Sequence, residues 1–190
     1  GSEGNYLFSN LVDDAVAITK WAHNPATTDQ YNIDPEAIFL VGHSMGGMTV
    51  LNAAGKLDFI RGVAAIAPYD LQAAFQNGLE KELFIMIEGE GQCLKMTSAS
   101  EVYENAHYQS EAYAVINTYD HLKDQNVLFI AAQKDTVAPP DIMIRPLYNR
   151  LTDQPGSGKY CYKVLHTNHG LCGQRTVLSD VLGSWIEKSL

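Results

Sequence analysis

Ser44 lies within Leu40-Val-Gly-His-Ser-Met-Gly-Gly-Met48, with Gly42 and Gly46 two residues to either side. A neutral hydroxyl is a poor nucleophile, so a working serine needs a base beside it and a further group that orients the base. The chain carries both residue types downstream: Asp135 in Ala131-Ala-Gln-Lys-Asp135, then His166 and His169 in His166-Thr-Asn-His169-Gly170. A serine, an acid and a histidine brought to one place can attack an acyl carbonyl. Glycine-serine-glycine spacing is weak as a bare pattern, and its other reading is a glycine-rich turn in which Ser44 only caps a helix.

What would bring the three together is the rhythm of the chain. Apolar residues recur at helical spacing over residues 10 to 24, with Ser9 or Asn10 as a cap and Asp13 and Asp14 in the first turn. A short apolar run, 37 to 41, predicts a parallel strand buried on both faces and ending at Gly42. Helix follows over 45 to 56, strand over 62 to 67, strand over 126 to 131, helix over 141 to 151, strand over 160 to 165 and a closing helix over 175 to 189. Strands alternating with helices predict an α/β fold with a parallel sheet in a single domain, residues 1–190. Ser44 then falls on a tight strand-to-helix turn, where its flanking glycines avoid collisions, while Asp135 and both histidines follow the carboxyl ends of later strands.

Residues 70–124 break the rhythm. They contain a helix-like stretch from 71 to 82, an apolar run from 83 to 87, and a polar region with Tyr103, Tyr108, Tyr113 and Tyr119. Too long for a simple connection, the segment reads as a helical cap inserted between two strands, with its tyrosines as pocket lining or packing residues.

The stretches Asp34-Pro-Glu-Ala-Ile-Phe-Leu-Val-Gly-His-Ser-Met-Gly-Gly47, Ala65-Ile-Ala-Pro68, Lys134-Asp-Thr-Val-Ala-Pro139 and His169-Gly170 together resemble the α/β-hydrolase superfamily. The flavour is similar to its dienelactone-hydrolase, cutinase-like and prolyl-oligopeptidase-like branches. The resemblance implies Ser44 as nucleophile, Asp135 as acid, His169 as base and the backbone N–H of Met45 as an oxyanion donor. His169 lies deeper in its loop than His166, which reads as a packed or edge histidine. Asp70, after Pro68-Tyr69, stands where the family less commonly puts its acid and reads as a turn residue. His43 reads as a neighbour packed around the elbow.

The same resemblance sets an expectation about what precedes Ser44. In the full fold several strands come before the nucleophile strand and one of their loops gives the second oxyanion donor, whereas here a single helix is read there. The stretch Gly1-Ser-Glu-Gly-Asn-Tyr-Leu-Phe8 resembles a loop of peptidase-like members, as if the chain began in mid-fold. A core of about four strands, without the N-terminal ones, is expected to expose the nucleophile strand as an apolar edge and to invite self-association or pairing with an N-terminal segment.

Composition narrows the partners. The net charge is −9 with no basic run, which argues against nucleic acid, and no apolar run reaches the length of a spanning helix. Three cysteines, Cys93, Cys161 and Cys172, are too few for a disulfide scaffold and favour a reducing, cytoplasmic setting, with secretion open because a leader could lie upstream. Cys161, His166, His169 and Cys172 are zinc-ligand types, but their spacing lacks the usual paired cysteines, so neither metal nor organic cofactor is expected. A bridge between Cys161 and Cys172 is an open alternative. The leading expectation is a serine hydrolase of small carboxylic esters acting through an acyl-enzyme. The alternatives are a prolyl-oligopeptidase-type peptidase or amidase, and a weakly active or inactive hydrolase-like fragment with a binding role.

Overall fold

The computed structural model describes residues 3–190; Gly1 and Ser2, where the loop-like first stretch begins, lie outside the described residues. Helices α1 (Phe8–His23) and α2 (Pro25–Tyr31) lead into strand β1 (Phe39–His43). Helix α3 (Met45–Ala54) connects it to β2 (Gly62–Ile66). A helical segment then carries α4 (Leu71–Gln76), α5 (Glu80–Glu90), α6 (Ala99–Gln109) and α7 (Tyr119–Leu122) before β3 (Asn126–Ala132). Helices α8 (Pro140–Met143) and α9 (Arg145–Asp153), strand β4 (Lys159–Leu165) and helix α10 (Arg175–Ser189) complete the order.

The four strands form one parallel sheet in the order β1-β2-β3-β4. Side chains alternate across it, as strand geometry requires. Val63, Ala65, Val127, Phe129 and Ala131 face a core shared with α3, α9 and the helical segment. Ala64, Ile66, Leu128, Ile130 and Ala132 face the other side, against Leu178, Val181, Leu182 and Trp185 of α10. The two inner strands are buried almost throughout, so truncating a side chain such as Phe129 costs roughly 3–5 kcal/mol.

The expected parallel α/β sheet is present, with local departures. Strand β1 is partly exposed rather than buried on both faces, because among the described residues it pairs only with β2; Val41 is 45% exposed. The expected cap of α1 by Ser9 or Asn10 is not used: Leu7 takes the cap position, no side chain caps it, and the Ser9 N–H donates to Asn105 Oδ1 on α6. Asp13 and Asp14 accordingly fall beyond the first turn.

Between the first helix and β1, where no element is read from the sequence, the chain holds α2, begun by Asn24, whose Oδ1 accepts from the Ala26 N–H, and by Pro25 at the first helical position. The helix expected over 141 to 151 divides at Ile144, where Pro146 lacks an N–H for continuous helix. The helix expected over 71 to 82 ends at Gln76, and Gly78 at φ 73° turns the chain into α5, which absorbs the apolar run 83 to 87. Among the described residues, no helix is long and apolar enough to cross a membrane.

Candidate active site

Strand β1 delivers Ser44 into a backbone conformation, φ 56° and ψ −122°, that non-glycine residues seldom adopt and that costs on the order of 1–3 kcal/mol. The fold holds it there from both sides. The Ser44 N–H donates to the carbonyl of Ile66 at 2.9 Å, and the Ser44 carbonyl accepts from the N–H groups of Tyr69 at 3.0 Å and Gly47 at 2.9 Å. The neighbouring strand end is also strained, since Ala67 has φ 41°.

Two glycines make the turn sterically feasible, and only one of them flanks the serine in the expected pattern. A Cβ on Gly42 would overlap the carbonyl of Gly46, and one on Gly47 would come within 2.6 Å of Pro68 Cβ. At Gly46 a Cβ would meet nothing within 4 Å, so the expectation that both flanking glycines relieve a collision holds for Gly42 and fails for Gly46.

Past the end of β3, Asp135 is folded under its own loop. Its Oδ1 accepts from the N–H groups of Val137 at 3.0 Å and Ala138 at 2.8 Å, and the side chain is fully enclosed. Past β4, the loop carrying His169 is wound by a bond from Thr167 Oγ1 to the Cys172 carbonyl at 2.9 Å and by Leu171 at φ 57°. It is tied to the Asp135 loop where the Lys134 N–H donates to the Thr167 carbonyl at 2.9 Å.

These placements bring His169 Nδ1 to 2.8 Å from Asp135 Oδ2 and His169 Nε2 to 2.9 Å from Ser44 Oγ. An ionised carboxylate only accepts, so Nδ1 carries the ring proton and Nε2 presents its lone pair to the serine hydroxyl. Met45, the first residue of α3, has an N–H with no partner inside the helix, at the helix end where the macrodipole favours negative charge.

The remaining residues weighed in the sequence lie elsewhere. His166 is exposed and donates from Nδ1 to Gln133 Oε1 at 2.6 Å. Asp70 caps α4, its Oδ1 accepting from Gln72 and Ala73 and its Oδ2 from the Val115 N–H. Burial pushes its carboxyl up to about 6 against the pull of those N–H groups. Cys93, Cys161 and Cys172 are free thiols, and Cys161 packs against the α10 side of the sheet. Among the described residues no cluster of three metal-ligand side chains occurs.

Two contributions were missed in the sequence. His43 does more than pack beside the elbow: its Nε2 lies 2.9 Å from the His169 carbonyl, and the two rings are 4.8 Å apart. Its signal was only its adjacency to Ser44. The other is a cavity of about 210 Å³ that reaches Ser44 and His169. Its walls come from Phe8, Tyr69 and, on α5, Leu83, Met86 and Ile87, not from Tyr103, Tyr108, Tyr113 or Tyr119. The helical spacing of Leu83, Met86 and Ile87 was the legible sign of that wall.

A parallel sheet whose first strand turns sharply through Ser44 into a helix, taken with the family match over residues 10–127, makes the chain a member of the α/β-hydrolase superfamily of serine hydrolases. The chain belongs to the PET hydrolase-like family, whose model matches residues 10–127. No curated protein matches it by sequence. The acetyl xylan esterase from Paenibacillus sp. R4 superposes with a TM-score of 0.67 at 16% identity, covering 96% of this chain and 53% of that one. Acetyl xylan esterase 1 from Thermoanaerobacterium sp. JW/SL YS485 gives 0.59 at 20% identity, over 100% and 60% of the two chains. The acylaminoacyl peptidase of Pyrococcus horikoshii gives 0.62 at 14% identity, over 87% and 26%. At these identities the likeness is one of fold. The chain spans about half the length of the first esterase and about a quarter of the peptidase.

Proposed function

We propose that the protein hydrolyses carboxylic esters through an acyl-enzyme on Ser44, with His169 as base and Asp135 as the residue that fixes and charges-balances the imidazole. The observation that carries this reading is the continuous hydrogen-bond relay of 2.9 Å and 2.8 Å from Ser44 through His169 to a fully enclosed Asp135. His169 Nε2 takes the hydroxyl proton as Ser44 Oγ bonds to the acyl carbon, and the Met45 N–H donates to the carbonyl oxygen as it becomes negative. Collapse breaks the ester C–O bond, and the proton held on His169 passes to the departing alkoxide. Water, deprotonated by the same nitrogen, then releases the acid and restores Ser44. In this reading the helical segment 70–124 acts as a cap, whose α5 wall shapes the acyl site.

A peptidase or amidase reading shares every one of these residues and draws on the fold likeness to the acylaminoacyl peptidase. The two separate by substrate. Labelling with a fluorophosphonate probe should modify the protein and not its Ser44→Ala variant, and p-nitrophenyl esters should be cleaved in preference to aminoacyl amides. An unlabelled protein overturns the hydrolase reading; preference for the amides replaces the ester assignment with the second one.

A further inference from the structure

The cavity beside Ser44 is walled mainly by apolar and aromatic side chains. His169 aside, one lining residue, Glu90, is of a type that carries charge at neutral pH. Its carboxylate forms no ion pair among the described residues, and Lys95, the nearest cation in sequence, does not line the cavity. Glu90 is exposed, so an incoming ligand can reach it. It is also the last residue of α5, whose final turn holds no basic side chain, and the C-terminal end of a helix disfavours negative charge. Helix stability therefore does not account for a carboxylate at this position.

The negative charge of α5 is felt on the cavity wall, where Tyr6 and Tyr69 both stand. Burial, and after it the charge of Glu90, pushes the Tyr6 phenol up to about 12. Burial, and after it the charge of Glu82 in the first turn of α5, does the same for Tyr69. Both phenols stay neutral and leave the carboxylates uncompensated.

Resting on the ester-hydrolase reading above, we propose that the site selects esters carrying a cationic ammonium group, in the acyl chain or in the alcohol, and that Glu90 is the residue that recognises it. An ion pair on open surface is worth little in water. A cleft with apolar walls and charge of one sign focuses its field on the entering molecule, and the net charge of −9 draws cations in the same sense. Solvent still reaches Glu90, which limits the preference to roughly twofold to fivefold.

The test uses two pairs of esters in which trimethylammonium is exchanged for tert-butyl, a neutral group of the same shape. In one pair the group ends the acyl chain of a p-nitrophenyl ester; in the other it ends the alcohol of an acetate ester. In at least one pair kcat/KM should favour the cation, and the pair that responds tells which half of the ester faces Glu90. Glu90→Gln should lower that ratio roughly twofold to fivefold, and Glu90→Lys should lower it further. Glu187→Gln makes the same charge change on α10, across the sheet, and should leave the ratio as it was. Salt at about 1 M should erase the preference in the parent protein and leave Glu90→Gln unaffected. Urea midpoints of Glu90→Gln should hold or rise, because the helix end loses an unfavourable charge, so a fallen ratio reads recognition and not unfolding. Calorimetric binding of the matching methyl esters to Ser44→Ala protein reads the same preference without turnover. Fluorophosphonate labelling in parallel separates the two readings: an unlabelled Ser44 is failure of the hydrolase assignment. Labelled protein that favours the cation in neither pair, or a preference that survives Glu90→Gln, overturns this inference.

Discussion

The side chain of His43 donates from Nε2 to the backbone carbonyl of His169 at 2.9 Å, so the residue next to the nucleophile holds the loop of the proposed base. His43 acts through His169, as a positioning residue. Its hydrogen bond is worth about 0.5–1.5 kcal/mol net, which predicts a fall in kcat of roughly two- to tenfold for His43→Ala, with KM little changed. His43→Gln, which keeps a donor, should recover part of the loss, as measured by steady-state kinetics on a p-nitrophenyl ester.

Asp135→Asn should lower kcat/KM by about 10⁴ while leaving the fold intact. The N–H groups of Val137 and Ala138 already claim Oδ1, so the amide oxygen of asparagine takes that position and its NH₂ faces His169. Two donors cannot share the contact, so the ring proton moves to Nε2 and the lone pair is lost to Ser44. Circular dichroism checks the fold and pre-steady-state kinetics check the chemistry.

The glycines of the elbow should separate sharply. Gly42→Ala and Gly47→Ala force overlap with backbone at Gly46 and with Pro68, and should yield unfolded or strongly destabilised protein. Gly46→Ala meets open space inside α3 and should fold, with stability unchanged or raised by up to about 1 kcal/mol. Urea denaturation of the three variants decides it.

Stability should depend on pH through Asp70. Its folded-state value, about 6, lies above the ordinary 3.8, so the folded protein binds the extra proton between those values. The contribution is therefore present in full below about 4 and is lost as pH rises through about 6, a difference of up to about 3 kcal/mol. Asp70→Asn should flatten that slope in urea midpoints taken across the window, whatever constant offset it introduces.

Much of this is legible in the sequence alone. Buried strands announce themselves as apolar runs, and the polar residues following them, Ser44, Asp135 and His169, fall at one sheet edge by topology alone. What escaped was decided by contacts between distant segments. Ser9 bonds to Asn105 across 96 residues, so no local cap was needed to start α1. The breaks at Gly78 and Ile144 carried readable glycine and proline signals that the apolar periodicity outweighed. His43 and Tyr69 gained their roles only when β1, β2 and the His169 loop met, and nothing in their immediate neighbours encodes that meeting.

Tyr69 also marks where the helical segment leaves the sheet, and the two do not meet across a seam. Val102, Ala106, Val115 and Leu122 of that segment lie in one continuous buried cluster with Val63, Phe129 and Leu147 of the scaffold. A cap that swings open must be able to abandon its interface, and opening this segment would tear the protein's own interior. Heating should accordingly melt segment and sheet in a single calorimetric transition. Trimming the segment away to widen the entrance should yield insoluble protein in place of an open cleft.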